Sequence, residues 1–144
     1  MMKINDVRNI LEKTHTFGGQ SQNLLNILAF SAKKKEFSTG DLIIKSEEKI
    51  SKCIVMLKGR AFIQKRETSI EIVAGDVIGN LALVNDNAIQ YAIIGGSKGE
   101  VLIIDRKLFN QLAIDFPEFI IFLKDKIKSD FRKKINKLSK VDLK

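Results

Sequence analysis

The periodicity of the apolar residues constrains the fold of this chain more than any other feature. Between residues 33 and 104, short segments rich in Ile, Val and Phe follow one another, and glycines separate them. Short strands at this spacing, with glycine turns between them, are typical of antiparallel sandwiches and jelly-roll barrels. The segments are KEF, DLIIK, CIVML, RAFIQK, SIEIV, DVIG, YAII and EVLII. We therefore expect a mainly β fold, a jelly-roll barrel of about eight antiparallel strands.

Helical periodicity precedes the predicted strands. Apolar residues recur at helical spacing over residues 2–13, and Phe17-Gly18-Gly19 ends this first amphipathic helix. Ser21 is placed to cap a second helix, because a serine hydroxyl accepts a hydrogen bond from a free backbone N–H of the first turn. Lys33-Lys34-Lys35 is predicted to close that helix, since lysines in a last turn complement the helix dipole.

Helical signals return after the last predicted strand. Asp105 is placed to cap one helix. Asp115-Phe116-Pro117-Glu118 resembles a capping box with proline in the first turn, where its missing N–H costs little. No breaker follows before about Ser139, so a long helix is predicted to run from Pro117 to about that residue.

The long C-terminal helix carries an apolar residue about every 3.5 positions, which is the repeat of a coiled-coil seam. The residues of this stripe are Ile120, Leu123, Ile127, Phe131, Ile135, Leu138 and Val141. We predict that its later part forms a parallel homodimer through Ile127, Phe131, Ile135 and Leu138. Its earlier part is predicted to pack on the barrel through Phe116, Phe119, Ile120 and Leu123.

The length of 144 residues suits a single domain that buries its own core. Its expected parts are N-terminal helices (1–32), the barrel (33–104) and C-terminal helices (105–144). The net charge of +8 is uneven, because residues 124–144 contain nine Lys or Arg and three Asp, a sum of +6. A basic helix of this kind is most simply a solvated face with weak, nonspecific attraction to polyanions.

The chain has one cysteine and one histidine, which restricts its chemistry. Cys53 opens an apolar strand and is predicted to be a small buried hydrophobe with no disulfide partner. His15 has no second metal ligand at a suitable spacing, so we expect neither a metal site nor a catalytic site. We expect no enzyme. The lone thiol and the absence of an apolar leader or spanning segment predict a cytoplasmic protein without membrane contact.

Several short sequences follow one another in a distinctive order. Residues 35–44 (KEFSTGDLII) and 53–63 (CIVMLKGRAFI) are strand pairs joined at a glycine, and residues 72–83 (IVAGDVIGNLAL) lead into a glycine turn. Residues 105–109 and Phe116-Pro117-Glu118 then begin helices. In this order the pieces resemble the cyclic-nucleotide-binding domain family. The resemblance implies a phosphate-binding cassette at the turn and a regulatory role.

The cassette implied by the resemblance departs from the family at both of its charged positions. The turn falls at Gly79, Asn80, Leu81 and Ala82, where a glycine and free N–H groups suit an anion. The family's ribose-binding glutamate is replaced by Asn80, and its phosphate-binding arginine falls at Ile89, or at Gln90 if the loop differs by one residue. We therefore predict that cyclic AMP and cyclic GMP bind weakly or not at all, although another small anion fits the turn. Arg60, Arg66 and Lys98 are the cations left to replace the arginine.

Three functions are compatible with this sequence. The first is a regulatory or sensor domain that signals through its C-terminal helix. The second is a dimerisation or interaction module that no longer needs a ligand. The third is the sensor part of a catabolite-activator-type transcription regulator without its helix-turn-helix, since the sequence stops at Lys144 before any recognition helix. None of them predicts sequence-specific binding of nucleic acid by this chain.

Overall fold

The computed structural model describes residues 2–45, 52–65, 67–79 and 92–142, with backbone alone for Phe131 and for residues 134–142. The described residues form four helices and eight strands. The helices are α1 (Ile4–Lys13), α2 (Gln22–Ser31), α3 (Arg106–Asp115) and α4 (Pro117–Asp142). The strands are β1 (Lys33–Phe37), β2 (Leu42–Ile44), β3 (Lys52–Lys58), β4 (Arg60–Lys65), β5 (Thr68–Val73), β6 (Val77–Ile78), β7 (Ala92–Gly95) and β8 (Gly99–Asp105).

The strands make two sheets of four, and every recorded pairing is antiparallel. The front sheet has the order β1-β8-β3-β6, and the back sheet has the order β2-β7-β4-β5. The chain passes from one sheet to the other at most of its connections, which is the jelly-roll topology. The expected jelly roll of eight antiparallel strands is therefore confirmed. Its described strands lie in two facing sheets and not in one closed ring.

Two cores lie on the two faces of the front sheet. The inter-sheet core fills the space between the sheets, and the helix-side core joins the front sheet to all four helices. Strand β3 serves both: Ile54 and Met56 face the back sheet, while Cys53 and Val55 face the helices. This explains the continuous apolar run of β3, because a strand covered on both faces does not alternate with polar residues.

The three lysines predicted to close the second helix lie in a strand instead, so that prediction is wrong. Helix α2 ends at Ser31, and Lys33-Lys34-Lys35 pairs with residues 101–103 of β8. Backbone pairing within the sheet outweighs the weak attraction of exposed lysines to a helix dipole. Lys34 keeps part of the predicted role, since its ammonium group donates to the Ala29 carbonyl at 2.7 Å.

The predicted helix caps at Ser21 and Asp105 are confirmed. The Ser21 hydroxyl accepts from the Leu24 N–H at 3.2 Å, and the Asp105 carboxylate accepts from the Leu108 N–H at 2.8 Å. Pro117 is the first residue of α4, as expected.

The predicted capping box at residues 115–118 is corrected by the structure. Asp115 is the last residue of α3, and Phe116 stands between the two helices. The Phe116 N–H donates to Leu112, and its carbonyl accepts from Phe119. The backbone of Phe116 therefore joins α3 to α4 without a side-chain cap from Asp115.

None of the described helices is both long enough and apolar enough to cross a bilayer.

Candidate functional site

Gly79 follows the shortest strand, β6, and begins the candidate site. Val77 and Ile78 pair with Val55 and Ile54 of β3, so the backbone before Gly79 is fixed to the centre of the front sheet. Gly79 has a φ of 84°, a conformation that residues with a side chain rarely adopt. The chain therefore turns at Gly79 in a conformation that suits glycine, and the binding of an anion at this turn stays a prediction.

The turn before β6 fixes the position of Gly79. The Asp76 carboxylate accepts from the Val73 N–H at 2.8 Å, and the Gly75 N–H donates to the Met56 carbonyl at 2.8 Å. The Asp76 carbonyl in turn accepts from the Met56 N–H at 2.9 Å. These bonds hold the turn against β3, so the register of β6 is set before the chain reaches Gly79.

An apolar wall lies on the inner face of the back sheet. Ile63 pairs with Ile70, and Ala61 pairs with Ile72, so these side chains face the front sheet. Ile70 is 55% exposed although it lies on the inner row, which leaves an apolar surface at the edge of the jelly roll. Sequence reasoning identified this strand but not the wall. The alternation in SIEIV is the signal, because it places Ile70 and Ile72 on one face and Glu71 on the other.

The first half of α4 is held against the loop between α1 and α2. The rings of Phe17 and Phe119 stack with centroids 5.8 Å apart, and Leu123 is fully buried in the helix-side core. One to two turns further on, the Lys126 ammonium group donates to the His15 carbonyl. Phe116, Phe119, Ile120 and Leu123 were predicted to pack on the barrel, and all four lie in or against this core.

Comparison with solved structures identifies the fold. The cAMP-bound protein PfPKA-R (141–441) is 23% identical, with a TM-score of 0.72, over 95% of this chain and 48% of that chain. The N-terminal domain of a transcriptional regulator from Streptomyces coelicolor is 15% identical, with a TM-score of 0.80, over 88% of this chain and 92% of that chain. A cyclic nucleotide-binding-like protein from Brucella abortus is 19% identical, with a TM-score of 0.64, over 74% of this chain and 97% of that chain.

This chain has the cyclic-nucleotide-binding fold. It spans about half the length of the PfPKA-R chain. No family model matches the sequence, and no curated protein does. The shared fold therefore supports the resemblance seen in the residues. Sequence identities of 15–23% do not identify a ligand, so the ligand has to be argued from the site itself.

Within this cyclic-nucleotide-binding fold, most of the predicted cassette lies outside the described residues. Those positions are Asn80, Leu81, Ala82, Ile89 and Gln90. Arg66, one of the three cations left open as a replacement for the missing arginine, is also outside them. Their assigned roles stay predictions, and Gly79 is the part of the cassette that has a described geometry.

Arg60 and Lys98 lie away from Gly79. Arg60 pairs with Val73 on the outer face of the back sheet, where its side chain lies near Gly96. Lys98 precedes β8 and lies roughly 17 Å along that strand from Ile103, which is in line with Ile78 across the sheet.

Cys53 lies on the helix-facing side of β3 and is fully buried, as predicted. Burial away from water disfavours the thiolate and raises the pKa of Cys53 to about 12. A thiol that stays protonated near neutral pH is a poor nucleophile and a poor metal ligand. Among the described residues, no group of three or more His, Cys, Asp and Glu side chains is arranged to hold a metal.

The structure describes the side chains of only some of the predicted dimer contacts. Ile127 is half-buried against the helix-side core, so part of its surface serves the domain itself. The side chains of Phe131, Ile135 and Leu138 are outside the described ones. Two apolar residues of α4 that were not assigned to the seam, Ile121 and Phe122, are 63% and 40% exposed.

Proposed function

We propose that this protein is a regulatory domain of the cyclic-nucleotide-binding type, and that it signals through α4. The observation that supports this proposal is the position of β3 between β6, which leads to Gly79, and α4. One edge of β3 pairs with β6, and Gly79 follows β6 directly. The helix-facing side chains of β3 share a core with Phe119 and Leu123 of α4. A change in the turn at Gly79 therefore reaches α4 through one strand.

The ligand of the cassette is a small anion that is not an ordinary cyclic nucleotide. Gly79 supports an anion, because a left-handed glycine lets N–H groups approach it closely. Asn80 and Ile89 do not supply the two charges that the family uses. A charge-assisted hydrogen bond contributes roughly 1.5–3 kcal/mol, so the loss of two weakens binding by about 3–6 kcal/mol. This is on the order of a hundred- to ten-thousandfold in affinity.

Calorimetry with cyclic AMP and cyclic GMP tests the proposed cassette. We expect millimolar binding or none for the natural sequence, and stronger cyclic AMP binding for the double variant Asn80→Glu with Ile89→Arg. Asn80→Glu with Gln90→Arg is the matched control for the register of the loop. If only this pair strengthens cyclic AMP binding, then Gln90 and not Ile89 occupies the position of the family's arginine. Micromolar binding by the natural sequence would contradict the proposal.

Hydrogen exchange tests the signalling step separately. In the rescued variant, saturating cyclic AMP should change amide protection in α4 as well as in the turn around Gly79. If amide exchange changes at Gly79 but not between Phe119 and Asp130, ligand binding does not reach α4, and the proposed signalling step is wrong.

A second candidate function is a dimerisation module that acts without a ligand. The observation that favours it is the exposed apolar surface of α4 at Ile121 and Phe122. The apolar repeat continues in the sequence through Phe131, Ile135 and Leu138. A parallel homodimer through this helix is compatible with both functions, and ligand dependence distinguishes them.

The remaining assignments follow from the same proposal. We assign the protein to binding and regulation and not to catalysis, and to the cytoplasm, where a lone protonated thiol such as Cys53 is stable. Fractionation of cells with an antibody against the protein tests the location. The basic end of α4 should attract any polyanion weakly, so shift assays with unrelated duplexes should give equal binding that disappears as salt rises.

A further inference from the structure

We propose that the jelly roll has a second ligand site, which takes a small organic anion with an apolar body. A cavity of about 390 Å³ opens between the two sheets where β1, β2, β3 and β8 come together. We call this cavity the lysine mouth, because Lys33, Lys35, Lys45 and Lys52 line it. Its volume falls in the range of small-molecule sites.

The registers of the strands explain why the lysines converge. On β1, Lys33 and Lys35 alternate with Lys34 and share a face with Phe37, which is buried in the inter-sheet core. On β3, Lys52 shares a face with Ile54, which lies in the same core. These lysines therefore stand on the inner faces of their strands, at the end where the core opens to solvent. Their convergence is a property of the sheet and not of flexible surface loops.

The charge of the lysine mouth is not balanced by its own carboxylate. Among the described residues that line it, Asp105 is the single acid, and its carboxylate already accepts from the Leu108 N–H at 2.8 Å. Four lysines and one aspartate give a sum of +3. Residues 46–51 contain Glu47, Glu48 and Lys49, so adding their −1 still leaves +2. Lysines held together repel one another, and a bound anion relieves this repulsion.

The floor of the lysine mouth is apolar. Ile43, Ile44, Ile54 and Ile103 line it beneath the lysines. Ile43, Ile44 and Ile54 are already buried, but Leu42 also lines the cavity and is 46% exposed. An aromatic or hydrocarbon body would cover this apolar surface, whereas an inorganic ion would leave it in contact with water. The ligand class is therefore a sulfonate, carboxylate or phosphate ester with an apolar part.

A larger cavity at the opposite end of the strands lacks this charge. It has a volume of about 790 Å³, and its lining contains three lysines and four carboxylates. Glu100, 4% exposed, already accepts from the Met2 N–H at 3.0 and 3.2 Å. Lys58 and Lys98 belong to this balanced cavity, so they are matched controls for the lysines of the mouth.

The lysine mouth is separate from Gly79, although both lie toward the same end of the front sheet. Lys33, Ile103, Ile54 and Ile78 form one line across four neighbouring strands. Three strand spacings put the backbone of Lys33 about 14 Å from that of Ile78, which precedes Gly79. We therefore expect binding in the mouth to be independent of substitutions at Asn80 and Ile89.

Titration with 8-anilinonaphthalene-1-sulfonate tests the site, because this aromatic sulfonate matches the proposed class and fluoresces in apolar surroundings. We expect Lys35→Gln with Lys52→Gln to bind it at least tenfold more weakly than the natural sequence. Lys58→Gln with Lys98→Gln removes the same charge and should stay within twofold. Asn80→Glu with Ile89→Arg should bind as the natural sequence does, which separates this test from that of the cassette.

Three results would overturn the proposal: no binding to the natural sequence, an equal loss in both lysine pairs, or full displacement of the probe by an equal concentration of inorganic phosphate. Circular dichroism confirms that each variant is folded. Acetylation of the natural protein gives a measurement that needs no variant. The bound probe should protect Lys33, Lys35, Lys45 and Lys52 and leave Lys58 and Lys98 reactive, and the reverse pattern would exclude the mouth.

Discussion

The ring of Phe17 stacks on the ring of Phe119 at a centroid distance of 5.8 Å, with the two planes inclined by 29°. Phe17 is 1% exposed and Phe119 is 3% exposed, so the pair is closed to water. One residue belongs to the loop after α1, and the other belongs to the first turn of α4. This contact joins the two ends of the fold directly, without passing through a strand.

Truncation of Phe119 should release α4 from the domain. We expect Phe119→Ala to lower the free energy of unfolding by about 3–5 kcal/mol, because a buried ring is replaced by a cavity. Phe122→Ala is the control on the same helix, since this ring is 40% exposed, and it should cost less than about 1 kcal/mol. Urea titration followed by circular dichroism measures both, and equal costs would show that the stacked pair carries no special weight.

Alanine substitutions at Gly59 and Gly40 distinguish the stability cost of steric crowding from the stability cost of backbone strain. Both glycines have positive φ, 81° and 86°. A Cβ at Gly59 would lie 2.3 Å from the Lys98 carbonyl oxygen, whereas a Cβ at Gly40 would meet nothing within 4 Å. Gly40→Ala should therefore cost about 1–2 kcal/mol, and Gly59→Ala should cost at least about 2 kcal/mol more. Similar melting temperatures for the two variants would contradict the close approach of the Gly59 backbone to the Lys98 carbonyl.

Cys53 should make stability fall at alkaline pH. Burial raises the pKa of Cys53 from 9.0 to about 12, so the folded state keeps this proton after the unfolded chain has lost it. The stabilisation is complete below pH 9 and is lost as pH rises toward 12, by up to about 1.4 kcal/mol per unit. The difference in unfolding free energy between the natural protein and Cys53→Ala isolates this effect from lysine titration. A difference that stays constant from pH 8 to 11 would contradict it.

The predicted dimer depends on the later part of α4. Replacing Phe131 and Ile135 with Asp should give a folded monomer, because two carboxylates cannot be buried in an apolar seam without a large cost. Arg132→Asp with Lys133→Asp is the control, since both of these side chains are exposed. Sedimentation at high micromolar concentration measures the outcome. A natural protein that sediments as a monomer would refute the seam.

Local signals predicted most of the fold. The glycine-separated strands, the caps at Ser21 and Asp105 and the start of α4 at Pro117 depend on neighbouring residues, and the structure confirms them. The role of Lys33-Lys34-Lys35 depends on β8, which lies more than 60 residues away, so local charge favoured a helix end instead.

The candidate sites also depend on contacts that local sequence signals do not reveal. Gly79 is recognisable because its conformation requires glycine. The wall at Ile63 and Ile70 and the convergence of Lys35 with Lys52 require the registers of the strands. No single segment of sequence contains that information, because it is set by pairing between distant strands.

The pairing of β1 with β8 also has a consequence for synthesis. Their partners are separated by 62 to 70 residues, so the ribosome needs roughly 3–14 s after β1 emerges to deliver its only recorded neighbour in the described front sheet. During this interval β1 is an unpaired edge, the kind of segment that aggregates with other nascent chains. Four of its five residues are charged, and three are lysines. These lysines keep the waiting strand in solution until its partner is made, and two of them, Lys33 and Lys35, later line the lysine mouth.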